Sequence, residues 1–367
     1  MKTKQILVVN PGSTSTKVAL YENDAVLWKE DIRYTKDEIN RYSHIADQRF
    51  MRQEDLNRIL EEKQVVMEDL WAICSRGPDV YPIGSGTYAV DESMMTELMN
   101  NPCIEHACNL GAMITYPLSQ KWGIPVFIVD TGLVDELTDE AAMTGVKGVR
   151  RRCRWHALSQ RAIYRKVAES LGKDIEHTTC VICHMGGGLS VGAHCNGRTV
   201  DVNNSMDGDG PMSANRAGAI PNIDILEMAF DQHLSKREIW DKLVGSGGLV
   251  GHLGTENLKD IEERIAGGDE YAAKVIDCMV YQIAKEIGGL CTALKGNVDA
   301  IALTGGMAYS DYLVSRIKEY IKFLAPIQVY PGECEMEALY EGAKRVMEGV
   351  EEAKHFVPGG TVYYLID

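Results

Sequence analysis

The 367-residue sequence has no uninterrupted apolar run that approaches the roughly 18–20 residues a membrane-spanning helix needs. The apolar run 6–9 follows lysines, as in a signal peptide, but no small-residue cleavage site comes after it, so we interpret it as a buried strand. Positive charge is also scarce, because 38 Lys and Arg oppose 53 Asp and Glu, giving a net charge of −15. This balance argues against a nucleic acid or an anionic membrane as partner, and we expect an acidic enzyme of the cytoplasm.

The ten cysteines have no spacing typical of a small disulfide framework. The run CVICH, from Cys180 to His184, matches the pattern for covalent haem attachment, which requires export. We expect no export signal here. Residues three apart on a strand point to opposite faces, so Cys180 and Cys183 are poorly placed to hold one ligand. We therefore expect reduced thiols buried in the structure.

One pattern of strands and turns occurs twice in the sequence. In the first copy, the run ILVVN is followed by the loop PGSTST, the strand KVALY, a turn at 22–24 and the strand VLWKED. In the second copy, TCVICH is followed by MGGGLS, VGAH, a turn at 195–198 and TVDVN. Both turns carry the Asn, Asp or Gly residues of tight hairpins. The repeat predicts two domains with related folds, each presenting one loop.

Helical periodicity follows both copies of the pattern. The alternation predicts an α/β protein of two domains, each a mixed sheet covered by helices: 1–165 and 166–340, with the tail from about 340 to 367 packing back on the first. In the longest helix, Gly288 and Gly289 mark a weak point or a close-packing point. Helices are predicted at 49–63, 103–123, 156–172 and 269–294, and buried strands after helices at 123–130 and 297–306.

The two loops have the composition of phosphate-binding turns. A tight turn exposes backbone N–H groups, hydroxyls add donors and a lysine adds positive charge. The first loop lacks the Walker A spacing, and the second does not open a helix as a dinucleotide fingerprint does. A third turn, at 305–306, ends a strand and would let an adenine or ribose lie against backbone. The candidate phosphate-binding residues are Ser13, Thr14, Ser15, Lys17, Gly186, Gly187 and Gly188.

Several longer motifs carry a family resemblance. VVNPGSTSTKVALY, DVYPIGSGTYAV, WHALSQRA, GPMSANRAGAIP, GHLGTEN and PGECEMEALYEGA occur in family order along nearly the whole chain. The chain resembles the butyrate kinases and branched-chain fatty acid kinases of the acetokinase family, within the acetate and sugar kinase/Hsp70/actin superfamily. The resemblance implies an actin/ribonuclease-H-like fold with a nucleotide cleft between the domains. It also implies ATP or ADP with Mg²⁺, and a homodimer formed through the second domain.

The reaction that the resemblance implies joins ATP and a short-chain carboxylate to give ADP and an acyl phosphate, and we expect it to run physiologically toward ATP. Since two anions must meet, the site needs cations aimed at the moving phosphoryl group. Two arginines would embrace the carboxylate and phosphoryl, one histidine would hydrogen-bond the phosphoryl oxygens, and an aspartate would orient the nucleophile or hold Mg²⁺ through water. By resemblance, the catalytic residues are Arg76, Arg216, His156, Asp130 and His106; the adenosine side has Asn257, Gly305, Gly306 and Met307; the metal residues are Asn10 and Glu335, with Glu333 and Glu337 as alternatives to Glu335.

Other functions stay open at this point. One is an acetate- or propionate-preferring kinase of the same family, because one methylene is worth only about 1–3 kcal/mol of discrimination. Another is an ATPase of the actin or chaperone type, although such a protein would not need two arginines beside the nucleotide; a third is a non-catalytic regulator. The chain departs from family patterns at Gly187, where acetate kinases carry Asn, and at Asn257, where an acidic residue is more usual. The arginines 150–152 are predicted to form a solvated loop without a role.

Overall fold

A computed structural model describes residues 4–100, 102 and 104–359 of the protein. The described residues form two compact units, and the first of them is discontinuous in sequence. It consists of residues 4–135 and 334–359, whereas the second consists of residues 136–333. Within the described part of the chain, no helix combines the length and the apolar character needed to cross a membrane.

Eleven strands and thirteen α-helices are numbered here in chain order over the described residues. The strands are β1 (Gln5–Pro11), β2 (Ser15–Glu22), β3 (Ala25–Arg33), β4 (Leu70–Arg76), β5 (Thr87–Ala89), β6 (Val126–Val129), β7 (Thr179–Met185), β8 (Leu189–Cys195), β9 (Arg198–Val202), β10 (Ala300–Gly305) and β11 (Ile327–Pro331). The helices are α1 (Lys36–Ile39), α2 (Arg49–Glu62), α3 (Glu92–Asn100), α4 (Asn109–Trp122), α5 (Asp139–Ala142), α6 (Ala157–Ser170), α7 (Asn222–Phe230), α8 (Lys236–Val244), α9 (Gly248–Leu253), α10 (Leu258–Ala266), α11 (Glu270–Ala293), α12 (Asp311–Ile321) and α13 (Glu335–Met347).

The sheet of the first unit has the spatial order β3-β2-β1-β4-β6-β5. Strands β1, β2 and β3 form an antiparallel meander, β1, β4 and β6 run parallel, and β5 is antiparallel to β6. Asn23 and Asp24 both have positive φ, as the tight turn between β2 and β3 requires. The meander predicted from the first copy of the repeated pattern is therefore confirmed.

The sheet of the second unit repeats this arrangement, with the order β11-β10-β7-β8-β9. Strands β7, β8 and β9 form the antiparallel meander, and β7, β10 and β11 run parallel. Asn196 and Gly197 supply the positive φ values of the turn between β8 and β9. The prediction of two related mixed-sheet folds covered by helices is confirmed.

Helices cover the sheet of the first unit from both sides. Leu7 of β1 lies in one apolar cluster with Leu56 of α2 and Leu110 of α4. Neighbouring side chains on a strand point to opposite faces. On the other face, α13 packs on β1, β4 and β6, and Tyr340 of α13 stacks on Tyr21 of β2 with ring centroids 4.4 Å apart. Burial of both faces explains why β1 reads as a continuous apolar run.

The second unit is built around helix α11, which packs on β7, β8 and α12. This helix matches the predicted span, with Asp269 capping its first turn. Gly288 and Gly289 do not interrupt it, and a Cβ at either position would meet none of the described residues within 4 Å. The expectation of a close-packing point was therefore wrong, whereas the alternative, that the two glycines weaken the helix locally, stays a prediction.

Strand β7 carries the CVICH run. Cys183 lies in the apolar cluster beneath α11, whereas Cys180 is buried outside that cluster. The two side chains therefore sit on opposite faces of the strand. Burial raises the pKa of both thiols, so they stay protonated at neutral pH.

Residues 136–165 belong to the second unit, although the sequence placed them in the first. Helix α5 packs on β9, and α6 packs on β7 and β10. The boundary at 165/166 therefore lies too late in the chain. The cause is that β-sheet pairing, which the sequence does not display locally, decides which sheet a helix covers.

Candidate active site

The first glycine- and hydroxyl-rich loop, residues 12–14, connects β1 to β2. It is closed by a hydrogen bond from the Gly12 N–H to the Ser15 carbonyl, 2.7 Å. Ser13 and Thr14 are exposed, while Ser15 and Lys17 are half-buried. Ser13 and Thr14 therefore lie in the turn after β1, and Ser15 and Lys17 lie at the start of β2.

Arg52 of α2 holds this loop from its inner side. The fully buried guanidinium donates to the carbonyl oxygens of Gly12 (2.8 Å), Ser13 (3.2 Å) and Ser15 (3.0 Å), and to Thr16 Oγ1 (3.1 Å). Burial lowers the pKa of Arg52. Because Arg52 hydrogen-bonds the carbonyl oxygens, these acceptors of the loop point into the protein. This arrangement suits an anion bound on the outer side of the loop.

Sequence reasoning missed Arg52 as a functional residue. It lies in a helix rich in charged residues, where an arginine is ordinarily solvated. A weak signal was available, because α2 places Leu56, Ile59 and Leu60 in the core, and Arg52 precedes Leu56 by one turn on the same face.

The carboxyl ends of β1 and β4 meet the first residue of α13. Asn10 Nδ2 donates to Glu335 Oε2 (2.8 Å), and Arg76 Nη1 contacts both carboxylate oxygens of Glu335 (3.2 Å each). Glu335, which the sequence could not separate from Glu333 and Glu337, therefore contacts Asn10. Asn10, Arg76 and Glu335 form one cluster.

The Asn10 side chain is oriented by this contact. Because its amide nitrogen donates to Glu335, its oxygen Oδ1 points elsewhere. Oδ1 is buried and accepts no hydrogen bond from the described residues. A buried amide oxygen beside a carboxylate is the donor chemistry that hard divalent cations take in proteins.

Asp130 follows the carboxyl end of β6, the strand next to β4. It is buried, and its carboxylate accepts the Gly86 N–H at 2.7 Å. Its φ of 39° lies in the left-handed region, where non-glycine residues are rare. The loop of Gly86 therefore fixes the position of this predicted catalytic aspartate.

His106 precedes α4 and is half-buried. Its Nδ1 lies 3.1 Å from Cys108 Sγ and 3.4 Å from the Cys108 backbone nitrogen. The imidazole is thus turned toward the first turn of α4. His106 belongs to the first unit, and so do the Asn10 cluster and Asp130.

In the second unit, the glycine loop 186–188 connects β7 to β8. Its turn closes through Gly186 N–H to Gly188 O at 2.9 Å, and Ser213 Oγ donates to the Gly187 carbonyl at 2.8 Å. A Cβ at Gly188 would lie 1.8 Å from Arg216 Nη1. A side chain at 188 would therefore displace the Arg216 guanidinium, which occupies that space.

Arg216 is half-buried and lies beside this loop. Its Nη1 donates to the Ser205 carbonyl at 2.7 Å, and its Nε has no hydrogen-bond partner among the described residues. Burial, together with the positive charge of Arg154, lowers the pKa of Arg216, while Asp207 opposes the shift. Arg154 is itself paired with Asp207 at 3.1 Å. Two guanidinium groups thus lie near one another, and the sequence had given no role to Arg154.

His156 stands at the N-cap position of α6. Its ring stacks on His184 of β7 with centroids 4.2 Å apart, and its Nδ1 lies 2.8 Å from Ser190 Oγ of β8. A Cβ at Gly186 would come within 3.4 Å of His184 Nε2. The predicted His156 is therefore linked to the glycine loop through His184.

The predicted adenosine turn begins at Gly305, the last residue of β10. Gly305 has φ 93°, and a Cβ there would lie 2.2 Å from the Met185 carbonyl, so glycine is needed for strand packing. Gly306 has open space around its Cα, whereas Met307 is buried in the core beneath α11. Of the three residues, Gly306 leaves room for a flat group beside the backbone.

Two other sequence expectations concern single polar residues. Asn257 is exposed and caps α10 by accepting the Lys259 N–H at 3.2 Å, a role that any cap residue fills. Arg151 was expected in a solvated loop, but it pairs with Asp201 at 2.9 Å and donates to the Val202 carbonyl at 3.0 Å. Arg151 therefore ties the segment before α6 to β9.

Many of the predicted residues fall into two groups. In the first unit, the loop 12–14 and the Asn10–Arg76–Glu335 cluster lie at the carboxyl ends of neighbouring parallel strands, where open α/β sheets place their functional groups. In the second unit, the glycine loop 186–188, Arg216 and His156 lie together around the β7–β8 turn. Anion-binding groups dominate both.

Comparison with known proteins gives a consistent family. Residues 119–327 match the acetokinase family. The chain is 43% identical over 350 residues to a protein of Clostridium botulinum (strain Alaska E43 / Type E3) named a probable butyrate kinase, covering 95% of this chain and 99% of that protein. It is also 43% identical over 349 residues to a probable butyrate kinase of Listeria innocua serovar 6a, covering 95% and 98%.

Solved structures share the fold at lower identity. The acetate kinase of Porphyromonas gingivalis superposes with a TM-score of 0.77 at 21% identity, covering 95% of this chain and all of that one. A propionate kinase from Francisella tularensis gives a TM-score of 0.74 at 18% identity, covering 92% and 98%. At these identities the likeness establishes the fold.

Proposed function

The chain belongs to the acetokinase family, and from this premise we propose that it is a carboxylate kinase acting on butyrate or a similar short- or branched-chain fatty acid. It would transfer the γ-phosphoryl group of ATP to the acid, and physiologically run toward ATP. The observation that carries the substrate is the 43% identity, over 95% of the chain, to relatives named probable butyrate kinases. The two groups of anion-binding residues support the reaction class.

The loops would bind the nucleotide. The Ser13, Thr14 and Ser15 hydroxyls and the Lys17 ammonium would donate to the β- and γ-phosphate oxygens, and the exposed hydroxyls beside the Arg52-held carbonyls favour this. The N–H groups of Gly186, Gly187 and Gly188 would also donate to phosphate oxygens. Gly305, Gly306 and Met307 would line the adenosine through their backbone, with Asn257 near the ribose.

Arg76 and Arg216 would neutralise the reacting anions. A carboxylate oxygen attacks the γ-phosphorus, the bond to the β–γ bridging oxygen breaks, and ADP leaves with the electron pair. Negative charge is spread over the transferring group throughout, so fixed cations lower the barrier. The half-buried Arg216, whose Nε has no partner among the described residues, has a donor left for such an anion.

Three further side chains would act on the same group. His156 would donate a hydrogen bond to a phosphoryl oxygen, and His106 would play a lesser part of the same kind. Asp130, held rigidly by Gly86, would orient the carboxylate nucleophile or accept a metal-bound water. The roles of these side chains depend more on their positions than on the strength of each hydrogen bond, because a shift of about 1 Å is costly in phosphoryl transfer.

Asn10 and Glu335 fit a magnesium ion. The buried Asn10 Oδ1, which accepts no hydrogen bond from the described residues, and the adjacent Glu335 carboxylate are oxygen donors suited to Mg²⁺ directly or through water. When bound, the ion would offset the charge of the β- and γ-phosphates. The contact of Glu335 with Asn10 and Arg76 supports Glu335 over Glu333 and Glu337 as this residue.

A hydroxylamine trap tests the function, because only an acyl phosphate is converted to a hydroxamate. Purified protein would be given MgATP with acetate, propionate, butyrate, isobutyrate or valerate, with Arg216→Ala as the inactive control. We expect the highest kcat/KM with butyrate or isobutyrate, and ATP formation from the acyl phosphate and ADP. A maximum with acetate or propionate would favour the second candidate, a kinase of shorter acids. ATP hydrolysis without hydroxamate would overturn the proposal and fit an actin-type ATPase.

We further propose a cytoplasmic homodimer formed through the second unit. Helix α7 supports this, because none of its residues is buried and Ile223, Leu226 and Phe230 are largely exposed. Light scattering after gel filtration should give a mass near twice 40.6 kDa. In Phe230→Asp the dimer should weaken, whereas the exposed Phe50→Asp of the first unit is the control. A monomeric wild type would contradict this arrangement.

A further inference from the structure

Three side chains of different ligand chemistry converge beside the start of α4. They are the Asp79 carboxylate, the His106 imidazole and the Cys108 thiol, whose ligand atoms all lie within 4.8 Å of one another. Asp79 is 5% exposed and Cys108 3%, whereas His106 is half-buried. The cluster is thus enclosed on two sides and reachable from one.

Asn109 holds the two chain segments of this cluster together. Its Oδ1 accepts the Asp79 N–H at 2.8 Å, and its Nδ2 donates to the Ile104 carbonyl at 2.8 Å. Asn109 is itself buried. The backbone that carries Asp79 is therefore fixed against the backbone that carries His106 and Cys108, so the ligands need little rearrangement.

The charge of the cluster suits a divalent cation. A thiol binds a metal ion as its thiolate, after it has lost its proton. A cation would replace that proton, which passes to water. One thiolate, one carboxylate and one neutral imidazole then balance a charge of two.

We propose that Asp79, His106 and Cys108 form a binding site for a cation of the zinc class, separate from the magnesium site at Asn10 and Glu335. Sulfur and nitrogen donors favour zinc over magnesium, and three protein ligands leave the fourth tetrahedral position open. Binding itself does not depend on the proposed function. Given that function, a cation bound to His106 removes this imidazole from its proposed part in catalysis and so inhibits the kinase.

Cobalt(II) titration of the metal-free protein tests the site, because sulfur-to-cobalt charge transfer reports thiolate ligation directly. We expect one equivalent to produce this band, and zinc to abolish it. Cys108→Ala should lack the band while keeping its circular dichroism, and Asp79→Asn should weaken binding by about tenfold or more. The exposed Cys278→Ala is the matched control and should bind as wild type. A wild type without the band, or an equal band in Cys108→Ala, would overturn the proposal.

A separate observation in the second unit concerns a chain of hydrogen bonds that ends at His156. Thr199 Oγ1 lies 3.1 Å from His194 Nδ1, and His194 Nε2 lies 2.9 Å from Gln160 Oε1. Gln160 Nε2 donates to Ser190 O (3.0 Å) and Ser190 Oγ (2.7 Å), and Ser190 Oγ lies 2.8 Å from His156 Nδ1. Thr199, His194, Gln160 and Ser190 are all buried.

The Ser190 carbonyl can only accept a hydrogen bond, and this determines which atom donates in each of the other bonds. The Ser190 carbonyl fixes the Gln160 amide nitrogen on its side, so Gln160 Oε1 faces His194 and needs a donor there. His194 therefore carries its proton on Nε2, and its Nδ1 accepts from Thr199. Complete burial lowers the pKa of His194 well below its usual value of 6.5, which keeps it neutral as this pattern requires.

The remaining bond sets the tautomer of His156. Ser190 Oγ accepts a hydrogen from Gln160, and its own hydrogen is then directed at His156 Nδ1. We infer that Gln160 is a positioning residue that acts through Ser190 to keep the His156 proton on Nε2. This inference rests on the proposed function, in which Nε2–H is the donor to the phosphoryl group.

Nitrogen-15 NMR of histidine-labelled protein distinguishes the tautomers without any activity measurement. We expect the Nε2–H signature for His156 in the wild type, and a mixture of tautomers in Gln160→Leu. With kinase activity established, the same variant should lose roughly tenfold or more in kcat with little change in KM for ATP. Gln328→Leu, on the exposed edge of β11, is the control. A wild-type Nδ1–H tautomer, or a Gln160→Leu variant with unchanged tautomer and kcat, would overturn the inference.

Discussion

Replacing Arg52 with methionine would remove the group that holds the first phosphate-binding loop from inside. Methionine keeps an unbranched side chain of similar reach but none of the donors. The guanidinium of Arg52 donates to three loop carbonyls, to Thr16 Oγ1 and to Gln48 Oε1 at 2.8 Å, and methionine can make none of these hydrogen bonds. The carbonyls can turn toward water, whereas the oxygens of Thr16 and Gln48 are buried.

The magnitude follows from these two kinds of acceptor. Each buried oxygen that loses its donor costs about 1–3 kcal/mol, and relief of the desolvated guanidinium offsets part of the sum. We therefore expect the free energy of unfolding to fall by about 2–4 kcal/mol. Loop carbonyls that turn outward would face the phosphates, so ATP should also bind about tenfold more weakly, which is about 1.4 kcal/mol.

Urea denaturation followed by circular dichroism and calorimetric titration with ATP would measure both effects. Arg58→Met is the matched control, because Arg58 lies on the same helix with its side chain 54% exposed in surface pairs with Asp55 and Glu62. Such pairs are worth about 0–1 kcal/mol, so little should change. If Arg52→Met loses less than about 1 kcal/mol and binds ATP as wild type does, the loop does not depend on Arg52 and the reasoning fails.

Four further predictions can be tested on single variants. Arg216→Ala should lower kcat by about 10²–10³-fold with little loss of ATP affinity, and a kcat within about fivefold of wild type would contradict its role. Lys17→Ala should weaken ATP more than AMP in calorimetric titration, since its partner is the triphosphate end; equal losses would count against the loop as a phosphate site. Gly288→Ala should raise the free energy of unfolding by up to about 1 kcal/mol, because helix propensity improves and the new Cβ meets nothing. Burial lowers the pKa of His194, so the unfolded state binds this proton first as the pH falls, and the free energy of unfolding should decrease below pH 6.5 by up to about 1.4 kcal/mol per pH unit. Urea titrations at several pH values should show a smaller slope for His194→Gln.

Local patterns predicted the elements of the fold well, because they depend on neighbours in sequence. The two meanders and helix α11 follow from apolar periodicity, turn residues and the Asp269 cap, all visible within short windows. The open space around Gly288 was not visible, because the sequence does not show what packs against a helix face. For the same reason, the segment before α6 was assigned to the wrong unit.

The candidate site was predictable in its residue types but not in its supporting contacts. The family resemblance proposed Asn10, Arg76 and Glu335, with Glu333 and Glu337 as alternatives, and the packing of α13 on the sheet then places Glu335 beside Asn10. Arg52 and Gln160 had no local signal of comparable strength, because each acts on backbone or side chains far away in sequence. Such supporting residues are determined by three-dimensional proximity, which a single sequence does not contain.

The discontinuous first unit has a consequence for biosynthesis. Asn10 and Glu335 are 325 residues apart, and the second unit lies entirely between them in the chain. On the ribosome, residues 136–333 emerge as one continuous segment, whereas the sheet of the first unit waits for α13 to cover β1, β4 and β6. Until then one apolar face of that sheet stays open to solvent, to chaperones and to other nascent chains. A chain stalled after residue 333 would therefore combine a second unit able to fold with a first unit exposed to proteolysis and aggregation.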